Sequence, residues 1–232
     1  WRLRVLVLQR QRRRHLAPHG VPRRKYNQAR PEKAHRSGAA KPLVVADMPM
    51  GTCRERWTVA YLKEVVGDLK ISVHVSSVPG LNFVTKNFSY EVMQMCNFLQ
   101  RVCDAGKGLG ERKFYYYRSQ HAKRNRPSSL EVLGPVADDF CLPPEVLEGF
   151  MVHSTVLRVA TVGMRMWLHY DICDNFLCCV RGRKRVMLLQ PSEVGHLYIT
   201  GSSSLVGSRL LEREDASLSE LWRDFPLAQS CW

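Results

Sequence analysis

The stretch "MWLHYDICDNFLCCVRGRKRVMLLQP", Met166 to Pro191, sets one His, two Asp, one Asn and one Lys between apolar runs. The apolar runs read as β-strands, and side chains on a strand alternate between its faces. His169 and Asp171 are two residues apart and therefore predict one shared face, about 7 Å apart along the backbone. Tyr170 points to the other face. An imidazole and a carboxylate so placed can converge on a metal; two His and one carboxylate form the facial triad of non-haem Fe(II) sites. An HxD pair alone also occurs as a surface or structural pair. Asn175 and Lys184 follow six and fifteen residues after His169, within reach of neighbouring strands. A Lys facing a cavity is expensive to bury without an anion, which a cosubstrate carboxylate would supply. The alternative places Lys184 in a solvated hairpin, "RGRKR", Arg181 to Arg185.

Working outward, "STVLRVATVG" (Ser154–Gly163), "MWLHYDI" (Met166–Ile172), "FLCCVRG" (Phe176–Gly182) and "KRVMLLQP" (Lys184–Pro191) predict strand after strand, punctuated by Gly163 and Gly182. Upstream, "KPLVVADMP" (Lys41–Pro49) reads as a short buried strand. "TCRERWTVAYLKEVVGD" (Thr52–Asp68) reads as a helix capped by Thr52. "KISVHVSSV" (Lys70–Val78) alternates as a strand, with His74 a structural or surface residue rather than a ligand. "NFSYEVMQMCNFLQRVCDAG" (Asn87–Gly106) predicts an amphipathic helix stopped by Gly106. "RKFYYYRSQ" (Arg112–Gln120) predicts a strand, followed by a proline-rich connector to Phe150. A short helix is expected at "SLSELWRDF" (Ser217–Phe225). Helices and strands first, then antiparallel strands, indicate an α+β fold with a barrel-like or sandwich core.

The net charge of +14 is concentrated at one end: residues 1–41 hold 13 of the 35 Lys and Arg and one of the 21 acids. The rest is nearly neutral, so basicity alone does not assign nucleic-acid binding. The leader reads as a disordered segment, with a nucleic-acid arm or a targeting segment as alternatives. The eight Cys form no CxxC pair, which argues against a zinc ribbon or thioredoxin-type site. Cys178 and Cys179 read as small buried hydrophobes. No run of about 18 apolar residues suggests a membrane helix. Reduced thiols in the cytoplasm or nucleus are expected, and no membrane partner.

At this point the residues carry a resemblance. "HYD" followed by "DNFLCCVRGRKRVMLLQP" resembles the JmjC-type, cupin-fold 2-oxoglutarate oxygenases, in which an HxD precedes an Asn, a GxKR hairpin and an apolar strand ending in Pro. "RWTVAYL" (Arg56–Leu62), "VTKNFSY" (Val84–Tyr90), "YYYRS" (Tyr115–Ser119) and "HLYITG" (His196–Gly201) are similar to the branch that hydroxylates the wybutosine base of tRNA. A factor-inhibiting-type protein hydroxylase is the nearest competitor. The resemblance spans about Pro42 to Phe225. It implies a double-stranded β-helix, the JmjC/cupin jelly-roll barrel. Residues 1–41 would be a leader, 42–153 the N-terminal part of the domain, and 154–232 the first part of the catalytic barrel.

The resemblance also implies roles. His169 and Asp171 would ligate Fe(II). Lys184 would pair with the distal carboxylate of the cosubstrate 2-oxoglutarate, Asn175 would line its pocket, and Tyr116 would hydrogen-bond the same carboxylate. Tyr115 or Tyr117 takes that place if the register slips by one. The reaction would couple decarboxylation of 2-oxoglutarate to succinate with hydroxylation of a C–H bond, with tRNA as substrate. The family's second His lies on a late strand. Here only His196 follows Asp171, and "HLYITG" matches a different segment, so the third ligand, the last strands and the helices of a homodimer are expected beyond Trp232. A protein or histone hydroxylase and a non-catalytic binding isoform are the other two readings.

Overall fold

The computed structural model describes residues 23–29, 43–83, 85–109, 112–121, 123, 126–166, 169, 171, 175–186, 188, 195–200, 207–208 and 218–227. In chain order these build β1 (Arg23–Lys25), α1 (Tyr26–Ala29), β2 (Val44–Ala46), α2 (Cys53–Arg56), α3 (Val59–Val66), β3 (Lys70–Ser76) and β4 (Ser89–Gln94). There follow α4 (Met95–Gly106), β5 (Phe114–Arg118), a 3-10 segment (Leu130–Asp139), α5 (Pro144–Leu147), β6 (Arg158–Ala160), β7 (Ile199–Thr200), β8 (Gly207–Ser208) and α6 (Leu218–Asp224). The described residues fall into two compact units. One takes those of His19–Val75 and Tyr90–Val162, the other those of Ser76–Ser89 and Gly163–Trp232.

The first unit is organised by a four-stranded sheet in the order β4-β3-β5-β6. β5 and β6 are antiparallel, with Tyr116 opposite Ala160 and Arg118 opposite Arg158. Alternation gives the sheet two unlike faces. Phe98 of α4 packs on Tyr117 (ring centroids 5.9 Å apart), and the Arg101 guanidinium lies 5.5 Å over the Tyr115 ring. That face also carries Ile71, Val73 and Val75, and Val73 and Phe98 are fully buried. The other face carries Ser72, His74, Tyr116 and Arg118 and is polar.

A buried carboxylate ties the helices to the 3-10 segment. Asp139 Oδ1 accepts from Thr52 Oγ1 (3.1 Å) and Arg56 Nη1 (2.6 Å), and its Oδ2 accepts from Trp57 Nε1 (3.1 Å) and Tyr61 OH (2.8 Å). Burial pushes its pKa up, but hydrogen bonds from Tyr61, Trp57 and Thr52 and the charge of Arg56 outweigh this and hold it below the ordinary value. The single helix expected over Thr52–Asp68 is therefore two. Thr52 gives its hydroxyl to Asp139 and makes no side-chain cap, while Thr58 caps α3 by accepting from Tyr61 N at 3.1 Å.

Other expectations are corrected. Asn87–Gly106 is half strand: alternation places Tyr90 and Val92 outward on β4, 61% and 74% exposed, before the helical period begins at Met95. The strand in Lys41–Pro49 exists as β2 but is only partly covered, paired in parallel with β1. Residues 23–29 of the expected leader form β1 and α1, and Tyr26 OH donates to Glu145 Oε1 at 2.6 Å. The connector contains the 3-10 segment, kinked at Gly134 (φ 57°, ψ −131°), a conformation glycine tolerates.

The second unit is smaller in regular structure. The segment after β3 folds on itself: Asn87 Oδ1 accepts from Asn82 N (2.8 Å), and its Nδ2 donates to the Gly80 carbonyl (2.8 Å). Gly80 bridges Arg165, and Arg165 N donates to the Pro79 carbonyl at 2.8 Å. Leu81, Met164, Leu197 and Phe225 are buried, with Tyr198 edge-on to Phe225 at 5.0 Å. The strands expected at Phe176–Gly182 and Lys184–Pro191 are not found among the described residues 175–186 and 188, which lie outside regular structure. A strand needs a hydrogen-bonded neighbour, and no described segment pairs with these residues. Gly182 turns the chain at φ 81°. The described sheets contain antiparallel strands but no closed barrel. Cys179 is exposed and Cys178 half-buried, against the expectation of buried thiols. No helix among the described residues is long and apolar enough to cross a membrane.

Candidate functional site

In the second unit, His169 and Asp171 are both half-buried and stand in irregular chain. The shared-face argument from strand alternation therefore does not apply to them as it stood. The remainder of "MWLHYDI" apart from Met166 lies outside the described residues. Asn175 Nδ2 donates to Asp171 Oδ2 at 2.6 Å. Asn175 was expected to line a cosubstrate pocket; its amide bonds one carboxylate oxygen of the candidate ligand Asp171. Lys184 is exposed and outside any strand. His196 is half-buried beside the fully buried Leu197.

The donor set fits a ferrous ion in kind: one imidazole nitrogen and one carboxylate oxygen, with a polar partner orienting the carboxylate. Among the described residues, no group of three or more His, Cys, Asp or Glu side chains stands together as a metal site.

Tyr116 belongs to the first unit. The three successive tyrosines, of which the resemblance favours Tyr116, are separated by the sheet. Tyr115 and Tyr117 face α4, and burial pushes the Tyr117 phenol up to about 12. Tyr116 stands on the polar face, 4% exposed, its ring 5.3 Å from that of His74. Burial raises its pKa, against a smaller pull downward from Arg158 and Arg118. It is therefore a protonated hydroxyl over the working pH range. His74 Nδ1 lies 3.2 Å from the Tyr116 carbonyl, and since a carbonyl only accepts, Nδ1 carries the proton. His74 is buried, which selects the structural reading from the two, structural or surface, that the sequence left open. Sequence reasoning missed Asp139 altogether, because its four donors are gathered from residues about 80 positions away.

Comparison with known proteins gives the context. The profile of the Cupin-like domain family matches residues 30–228. The chain is 35% identical over 171 residues to tRNA wybutosine-synthesizing protein 5 of Gallus gallus, covering 72% of this chain and 54% of that protein. It is 37% identical over 171 residues to the protein of the same name from Danio rerio, covering 72% of this chain and 52% of the relative. It is also 37% identical over 169 residues to tRNA wybutosine-synthesizing protein 4 of Neurospora crassa, covering 71% of this chain and 13% of the relative. The chain thus spans about half the length of the protein 5 relatives it matches. A profile match across most of its length places this chain in the Cupin-like domain family.

Proposed function

We propose that this chain carries part of an Fe(II)- and 2-oxoglutarate-dependent hydroxylase that modifies the wybutosine base of tRNA. The observation that supports this most is the similarity to wybutosine-synthesizing proteins over some 170 residues, in a chain that also holds the HxD pair with Asn175 bonded to its carboxylate. His169 and Asp171 would supply nitrogen and oxygen donors to the metal, and Asn175 would hold Asp171 in one orientation. The ammonium of Lys184 would pair with the distal carboxylate of 2-oxoglutarate. Tyr116, which the resemblance matches to a cosubstrate donor, has a phenol whose pKa burial raises. When bound, the iron supplies the oxidising chemistry, and the protein supplies placement.

The test is release of succinate from 2-oxoglutarate under aerobic Fe(II), with tRNA bearing the unhydroxylated base, with tRNA lacking it, and with peptide. Release that requires the modified tRNA supports the proposal. Release stimulated by peptide transfers it to protein hydroxylation. No release, with tRNA still bound, indicates a binding protein.

A further inference from the structure

The polar face of the first unit opens into a cleft of about 680 Å³ whose described lining has no carboxylate. Arg118, Lys123 and Arg126 supply fixed positive charge, and His121 and His153 add two imidazoles. Arg118 also sits directly opposite Arg158 across the β5–β6 ladder. Like charges directly opposite each other across strands destabilise a sheet, and here Arg158 also hydrogen-bonds the Tyr116 side chain. Among the described residues no carboxylate forms an ion pair with Arg118, Arg158, Lys123 or Arg126; those seen there in this unit are Arg56–Asp139 and Arg101–Glu91. Among the described residues this cluster has no carboxylate beside it, although the net charge of residues 42–232 is close to zero.

A second feature narrows the ligand. Tyr90 lines the same cleft from the edge strand β4, 61% exposed, and its ring lies 4.7 Å from that of His74. An exposed aromatic ring braced against a buried one, beside a row of cations, combines the two elements by which proteins hold unpaired nucleotides. The cations follow the phosphates and the ring stacks on a base. A free phosphate or an RNA duplex uses only the first of these.

We propose that this cleft is a single-stranded RNA-binding site, with Arg118, Lys123 and Arg126 on the phosphodiester backbone and Tyr90 stacked on a base. The inference rests on the tRNA reading above and deepens it: the substrate would be gripped through an unpaired loop. The described lining lies within the first unit.

The experiment measures fluorescence anisotropy of the full chain with a single-stranded RNA of about ten nucleotides, a blunt RNA duplex of equal length and inorganic phosphate as competitor. Binding stronger to the single strand than to the duplex is expected, with little competition from phosphate. In K123A/R126A the slope of log affinity against log salt is expected to fall by about 1.4, from about 0.7 per phosphate contact on a single strand. Y90A is expected to weaken single-strand binding about tenfold or more with the salt slope unchanged, as loss of one stacked base predicts. K63E, on α3 where Lys63 Nζ bonds Gln100 Oε1 on the helical side of the sheet, controls for charge alone and is expected to change the affinity little. Equal loss in K63E, an unchanged slope in K123A/R126A, or equal binding of duplex and single strand would each overturn the proposal. Because the readout is binding, a hydroxylase that works on another substrate would still show it. Conversely, a true tRNA hydroxylase could lack it.

Discussion

Replacing Asp139 by Ala removes the one acceptor shared by Thr52, Arg56, Trp57 and Tyr61. Arg56 and Thr52 are exposed enough to turn to water, the Arg56 side chain being 53% exposed. Trp57 is not: at 5% exposure its indole N–H loses its Asp139 acceptor away from water, at about 2 kcal/mol. With the lost charge-assisted bonds to the other donors, the whole comes to about 3 kcal/mol, the low end for breaking a buried charged network. For a domain of this size that lowers Tm by roughly 6–12 °C. Urea unfolding of D139A, W57F and the double variant apportions the loss. W57F is expected to be destabilising alone and nearly neutral in the D139A background, giving a coupling of about 1–2 kcal/mol. The pH dependence carries the same sign. A carboxyl held below its ordinary value stabilises fully above 3.8 and loses that contribution as pH falls through its folded value. D139A should therefore unfold in acid with a shallower slope in that region. A D139A cost under about 1 kcal/mol, or the same W57F cost in both backgrounds, refutes the argument.

Asn175→Ala should weaken Fe(II) binding about 10- to 100-fold, as loss of a ligand's orienting partner does; anaerobic titration calorimetry reads it, and an unchanged affinity denies Asn175 that role. His74 is held below 6.5, first by burial and also by Arg118, against a smaller upward pull from the Tyr116 carbonyl. In the unfolded chain it binds a proton earlier as pH falls, so its contribution is full above 6.5 and is lost below. His74→Gln should flatten stability against pH just beneath 6.5, and an unaltered urea-midpoint profile from pH 7 to 5 would contradict this. Phe98→Ala empties a fully buried site under Tyr117 and should cost about 3–5 kcal/mol, measured by urea unfolding; a loss below about 1 kcal/mol would mean α4 does not anchor the sheet.

Local pattern was enough for β3, β5 and the helix around Leu218–Asp224, because alternation and 3.6-residue periodicity are written in neighbouring side chains. The HxD, Asn and Lys positions are an expectation from spacing, to which the structure adds one contact, Asn175 Nδ2 to Asp171 Oδ2 at 2.6 Å. What sequence alone could not decide was anything set by residues distant along the chain. It favoured Tyr116 by resemblance but could not exclude a register slip to Tyr115 or Tyr117; α4 packing on one sheet face is what sets Tyr116 on the polar side. It could not find Asp139, whose four donors meet through folding, nor see that this drew Thr52 away from capping a helix. Nor could it join Tyr90 to Arg118, Lys123 and Arg126 in one cleft, because β4 and the connector after β5 are neighbours in space and not in sequence. Side-chain identity dictates each strand and helix. Which faces meet, and so which charges gather on one side, is decided only when the sheet assembles.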